Sequence, residues 1–150
     1  MPQSLSLVLV HLVFSTKDRV ALIGPGVRAS LHAYIAEVAR NMDCLCLRVG
    51  GTADHVHVML SLARTVSISD VVQRLKTTSS LWMKDRAPEF RVFSWQRGYG
   101  AFSVGPGDQE ALLKYIDEQE EHHKGRTFQD EYRAFLKKYN MKYEERYVWD

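Results

Sequence analysis

Two stretches of regular alternation, residues 5–14 and 55–62, set the frame for the rest of the chain. In the first, both alternating faces are apolar: Leu5, Leu7, Leu9, His11 and Val13 on one, Val8, Val10, Leu12 and Phe14 on the other. Such a strand belongs in the middle of a sheet that is covered on both sides. In the second, Val56, Val58, Leu60 and Leu62 face one way and His55, His57, Met59 and Ser61 the other. One face of that strand is core, and the other carries chemistry. Between them, after the breaker Gly24-Pro25-Gly26, Val27, Leu31, Tyr34, Ile35, Val38 and Met42 recur with the period of an amphipathic helix. Residues 44–49 read as a further strand, ended by Gly50-Gly51. The predicted order is strand, helix, strand, strand.

The pattern then returns to helical spacing. Ser67 is a predicted N-cap, with Asp70 in the first turn and Ile68, Val71, Val72, Leu75 and Trp82 as the buried stripe. Residues 92–104 are β-branched and aromatic but broken at Arg97-Gly98, which predicts a hairpin or a bulged strand pair. Their aromatics suit either base stacking or sheet packing. Gly105-Pro106-Gly107 is a second breaker with the character of a hinge. From Asp108, as N-cap, a helix is predicted through Ala111, Leu112, Tyr115, Ile116 and Gln119 to His122-His123. Thr127 starts a last helix with Phe128, Tyr132, Phe135, Leu136 and Tyr139 as its stripe, and the aromatic, charged ending 143–150 packs on a surface or a partner.

Composition adds little to this until charge is divided along the chain. With 150 residues, 45% of them hydrophobic and 25% charged, the sequence fits one globular domain with a full core and gives no sign of disorder. The net charge of +2 conceals an asymmetry: residues 1–107 hold twelve Lys/Arg against seven Asp/Glu, and residues 108–150 eight against eleven. A basic body suits a polyanionic ligand. The apolar residues 1–15 lack a basic leader and run into Lys17-Asp18-Arg19, so they read as a strand, with no signal peptide or membrane span expected. Cys44 and Cys46, on one predicted strand, are badly placed for a disulfide and fit reduced thiols in a cytoplasmic protein.

Candidate chemistry concentrates on the histidine strand. Residues i and i+2 on a strand lie roughly 6.6 Å apart, so the rings of His55 and His57 can converge on one ion. Two imidazoles leave a metal under-coordinated, and Gln119 offers a third ligand oxygen. Tyr115, four residues before it on the same helical face, offers a phenol as nucleophile. Imidazoles favour zinc, whereas amide and phosphate oxygens favour Mg²⁺ or Mn²⁺. His122 and His123 stand outside this ligand set. Arg74 and Lys76 on the second helix, and Arg97 at the break, are candidate DNA contacts by position.

These segments together resemble the small single-tyrosine HUH transposases of the insertion sequence 200/605 group. The resemblance spans nearly the whole chain and is carried by residues 11–17 (HLVFSTK), the Asp54-His55-Val56-His57 motif, residues 95–103 (WQRGYGAFS), residues 115–123 (YIDEQEEHH) and residues 143–147 (YEERY). It implies an α+β fold, a ferredoxin-like or RRM-like antiparallel sheet with helices on one face and C-terminal helices carrying the tyrosine. A sheet body over 1–104, a hinge at 105–107 with Gly105 and Gly107, and a tyrosine helix and tail over 108–150 would make one transposase domain. The implied substrate is single-stranded DNA folded into hairpins, cut and rejoined with Mg²⁺ or Mn²⁺ through a 5′-phosphotyrosine at Tyr115. The implied assembly is a homodimer in which the tyrosine helix can act in trans. Three other readings compete: a domesticated nickase acting on chromosomal repeat hairpins, a non-catalytic single-strand-binding module, and a small zinc hydrolase.

Overall fold

The computed structural model describes residues 2–150; Met1, part of the N-terminal stretch read above as a strand, lies outside them. The elements are β1 (Leu9–Ser15), α1 (Pro25–Asn41), β2 (Leu45–Gly51), β3 (His55–Ser61), α2 (Ile68–Lys84), β4 (Gly100–Val104), α3 (Gln109–Asp117), α4 (Gln119–His122) and α5 (Phe128–Lys138). The first six form a βαββαβ unit whose strands lie in the order β2-β3-β1-β4, with every neighbouring pair antiparallel. This is the ferredoxin-like arrangement. β1 is shorter than expected because Leu5 and Leu7 are exposed and make no ladder, but from Leu9 onward it is buried on both faces.

The two faces of the sheet bury different partners. Val10, Leu12 and Phe14 of β1 join Val56, Val58 and Leu60 of β3 in a core closed by α1 and α2 through Leu31, Ile35, Val38, Val71, Val72 and Leu75. Ser67 caps α2 as its sequence predicts, its hydroxyl accepting from the Asp70 amide at 3.1 Å. The opposite face, with Leu9, Val13, Met59 and the histidines, is covered by the C-terminal helices: Ile116 of α3 packs on Leu9 and Met59, and Phe128, Tyr132 and Leu136 of α5 on Val13 and Phe102.

Two glycines let those helices come down onto the sheet. A Cβ on Gly50 of β2 would lie 2.6 Å from both the Ile116 Cγ2 and carbonyl oxygen, and one on Gly100 of β4 would lie 2.7 Å from the Tyr132 ring. Backbone-level contact at Gly50 therefore fixes the height of α3. We expect Gly50→Ala to displace α3, costing about 1–3 kcal/mol in denaturant unfolding, and to impair any chemistry of Tyr115 far more than metal binding by the histidines.

Residues 92–104 do not form a hairpin. Both 94–96 and β4 pair with the same edge of β1: Lys17 N–H donates to the Ser94 carbonyl and Gln96 N–H to the Ser15 carbonyl, each at 2.9 Å, and β4 pairs with Leu9 to Val13. The residues between bulge outward. Phe93 and Trp95 are drawn into the α2 side, where the Trp95 indole donates to Ser79 Oγ at 2.9 Å, so the aromatics there are core. Lys76 closes the bulge, donating to the carbonyls of Gln96, Arg97 and Gly98 at 2.8, 3.1 and 2.6 Å.

Two helix expectations also shift. Asp108 does not cap α3: it ends a 3-10 turn begun at Pro106, and its φ of −99° and ψ of 0° are helical, whereas a capping residue needs extended backbone. The helix predicted through to His123 breaks at Glu118 into α3 and α4. Thr127 caps α5 as expected. The C-terminal segment returns to the body, where Trp149 packs on Phe128 and Tyr132 between the cations of Arg19 and Arg133.

On α1, the His32 Nε2 is buried without a hydrogen-bond partner, and burial and the nearby Arg28 cation lower its pKa from 6.5 to about 4. A folded-state value below the unfolded one means that the unfolded chain binds the proton first. The stability contributed by neutral His32 is thus in place above about pH 6.5 and lost as pH falls toward about 4, by on the order of 3 kcal/mol at most. Urea unfolding at pH 7 and pH 4.5 should show this loss, and His32→Leu should reduce it.

Candidate catalytic and metal site

The open face of β3 places His55 and His57 side by side under the C-terminal helices, both fully buried. Each imidazole is fixed at Nδ1. His55 Nδ1 lies 2.7 Å from Asp54 Oδ1 and 3.1 Å from the Thr52 hydroxyl, and His57 Nδ1 lies 2.7 Å from Nε2 of His11 on β1. His11 stacks on His57 with ring centroids 5.0 Å apart, so the lone histidine of the first strand is a support for the second. The Nε2 atoms are left facing α4 and α5.

Oxygens meet them there. Gln119 Oε1 lies 2.8 Å from His55 Nε2, and Glu131 Oε1 lies 2.9 Å from His57 Nε2 and 3.5 Å from His55 Nε2. Gln119 Nε2 donates to Glu131 Oε2 at 3.0 Å, which orients the amide with its oxygen toward His55. The Tyr115 hydroxyl donates to that same Glu131 oxygen. The four sequence-predicted residues His55, His57, Tyr115 and Gln119 therefore converge, and Glu131 is the group on which they do so.

Glu131 was absent from the sequence expectation, although a signal for it exists. It lies three residues after Phe128 and four before Phe135, a charge on the apolar stripe of α5. His123, also outside the expected set, brings Nε2 within 3.2 Å of Glu131 Oε2, an ion-pair distance without the alignment of a hydrogen bond. His122 stacks on the Tyr115 ring with centroids 4.6 Å apart.

The electrostatics follow from burial and this one carboxylate. Burial alone would raise Glu131, but the close contact with His123 and the hydrogen bond with His57 bring it far below the usual carboxylate range. Burial, then the Glu131 charge, push the Tyr115 phenol well above its ordinary range. At neutral pH the phenol keeps its proton and aims it at Glu131. Burial lowers His57 against the pull of Glu131, while His123, despite burial, is raised by its contact with Glu131.

The donor set fits a divalent cation. The ligand atoms of His55, His57 and Glu131 all lie within 4.8 Å of one another. In the tautomer that carries the His55 proton on Nδ1 toward Asp54, the Nε2 lone pair would face the Gln119 carbonyl oxygen 2.8 Å away, and a cation between these two acceptors would be held by both. Two nitrogens with amide and carboxylate oxygens suit a borderline or hard divalent ion.

The expected DNA contacts fare differently. Arg74 and Arg97 are exposed. Lys76 has three carbonyls around its ammonium, and burial lowers its pKa to about 8, so it is a clamp on the 96–98 bulge with no donor left for a phosphate. Gly105 precedes, and Gly107 lies within, the 3-10 turn that leads from β4 into α3.

An antiparallel ferredoxin-like sheet presenting a histidine-hydrophobic-histidine pair beneath a tyrosine helix defines the HUH class of domain. The chain belongs to the IS200-like transposase family, whose model matches residues 4–119. Among solved structures it is similar to a candidate transposase from Deinococcus radiodurans R1, at 21% identity over 79% of this chain and 98% of that one, with a TM-score of 0.62. It is also similar to a REP-associated tyrosine transposase solved bound to a REP hairpin, at 13% identity over 83% of this chain and 73% of that one, with a TM-score of 0.61. At these identities the two structures speak for the fold. No curated protein matches. Among the described residues no helix is long and apolar enough to cross a membrane.

Proposed function

We propose that this chain is a DNA transposase that cuts and rejoins single-stranded DNA at hairpin-bearing ends, with Tyr115 as nucleophile and a 5′-phosphotyrosine as intermediate. The observation that carries the reading is the convergence of Tyr115, Gln119, His55 and His57 on the single buried carboxylate of Glu131. His55, His57, Gln119 and Glu131 would hold the metal, Mg²⁺ or Mn²⁺, which when bound would polarise the scissile phosphate and offset its growing negative charge. Tyr115 oxygen attacks phosphorus, the bond to the 3′ oxygen breaks, and the phenolic proton, passed on by way of Glu131, ends on that oxygen as a 3′-hydroxyl. One phosphoester replaces another, so a later 3′-hydroxyl can reverse the step. That reversibility is what strand transfer needs.

Within one chain the nucleophile already reaches the histidine pair, which supports a site completed in cis. Exchange of α3 between two copies across Gly105 and Gly107 would build the same constellation in trans, in a homodimer. The fold shared with a protein solved on a REP hairpin favours a second reading, a domesticated enzyme acting on chromosomal repeat hairpins. Terminal hairpins on both sides of the coding sequence would support the mobile element; dispersed repeats without them would support the second reading. The test of the chemistry is a denaturation-resistant adduct with single-stranded oligonucleotides from those flanks, formed with Mn²⁺ and blocked by EDTA. Tight binding with no adduct on any flank would leave a binding module.

A further inference from the structure

Beside the nucleophile, between α3, α5 and the end of β4, lies a cleft of about 380 Å³ whose lining includes Tyr115 and Glu131. We propose that this cleft is a nucleobase pocket, which takes the unstacked base of a nucleotide flanking the scissile phosphate. The inference rests on the DNA-cleaving reading above and names where that substrate is gripped.

Three observations support this occupant. The walls are apolar and aromatic: Leu112 of α3 and Phe135 of α5 line them, with Tyr139 just past the end of α5. The Phe135 ring is held in place, stacked on Phe102 at 5.4 Å and set edge-on to Tyr115 at 5.8 Å, yet it is only partly buried and keeps surface toward the cleft. A rigid aromatic face is the platform on which single-stranded bases stack without regard to sequence.

The polar groups complement a nucleotide. Arg126 and Lys138 line the cleft as cations suited to a phosphate, and Ser103 and Asp108 supply groups for a base edge. The volume lies in the ~300–1,000 Å³ range of small-ligand sites, enough for one nucleotide drawn out of its stack. Position completes the argument. Because Tyr115 both attacks the phosphate and forms part of the cleft, the nearest base falls beside Phe135. Gripping that base would hold the phosphate in line for the phenol, a gain in orientation that needs no further reactive group.

The test uses the full chain and flank oligonucleotides whose cleavage position the adduct has mapped. Each of the two nucleotides flanking that position is replaced in turn by 2-aminopurine, read in EDTA so that nothing is cut, and by an abasic residue, read as adduct rate with Mn²⁺. At one of the two positions we expect fluorescence to change by about twofold or more on binding, and the abasic substitution to slow adduct formation on the order of tenfold, as the loss of one base stack implies. Ala134→Trp, at an exposed position of α5 that lines the cleft, should fill it. It should slow the intact oligonucleotide to about the abasic rate while leaving hairpin affinity within about twofold. Unchanged fluorescence at both positions with full-rate cleavage of both abasic substrates would overturn the pocket and leave the transposase reading standing. If no oligonucleotide binds or forms an adduct, the transposase reading fails, and the pocket with it.

Discussion

Tyr115→Phe should abolish covalent adduct formation, by at least about a thousandfold, because it removes the attacking oxygen itself. The substitution removes one oxygen and little else. Tyr115 is half-buried, its ring contacts with His57, His122 and Phe135 are all available to phenylalanine, and what is lost is the donor to Glu131. That donor is worth about 1–3 kcal/mol at most, so the variant should fold, bind Mn²⁺ and bind hairpin DNA within about twofold of the unsubstituted chain. Adduct assays on labelled single strands, with hairpin affinity measured alongside, check both halves. Cleavage at an undiminished rate would exclude Tyr115 as the attacking group.

Glu131→Ala is the substitution with the largest expected effect on the site as a whole. It removes the acceptor shared by His57, Gln119 and Tyr115 and the charge that faces His123. Breaking a buried charged network from one side typically costs about 3–5 kcal/mol, since the remaining groups stay buried without a partner. Mn²⁺ affinity should fall on the order of tenfold to a hundredfold. Glu131→Gln keeps the shape and one acceptor oxygen, so it should recover much of the stability while metal affinity remains reduced. Denaturant unfolding and Mn²⁺ titration of both variants separate the two roles. An alanine variant that melts and binds Mn²⁺ as the parent does would mean that Glu131 neither holds the site together nor ligates.

The contrast between these residues shows what the sequence makes legible. His55 and His57 stand out because strand alternation puts them on the face opposite Val56, Val58 and Leu60, and Tyr115 and Gln119 because helical spacing groups them; both patterns are local. Glu131 joins the histidines from 74 residues away in sequence, through the packing of α5 on β1 and β4, and nothing local says which charge will be buried. The same kind of long-range event redirects Lys76. It reads as a cation on a helix face, yet the bulge after Trp95 presents three carbonyls to it and consumes its donors. Residues 92–104 stay open in the sequence between a hairpin and a bulged strand pair because strand-like composition cannot tell pairing with a neighbour from pairing with β1, and the shared edge of β1 excludes the hairpin. The strand, helix, strand, strand, helix order of residues 9–84, by contrast, follows from local pattern alone.

The close seats of Ile116 on Gly50 and of Tyr132 on Gly100 bear on how such domains are compared. Reactive side chains are usually taken as the signature of a working site, and by that criterion a chain with alanine at either position would pass inspection with every donor and ligand present. Its Tyr115 or its Glu131 would nonetheless be carried on a helix lifted from the sheet. The reach of this site is recorded in two residues that have no side chain to inspect.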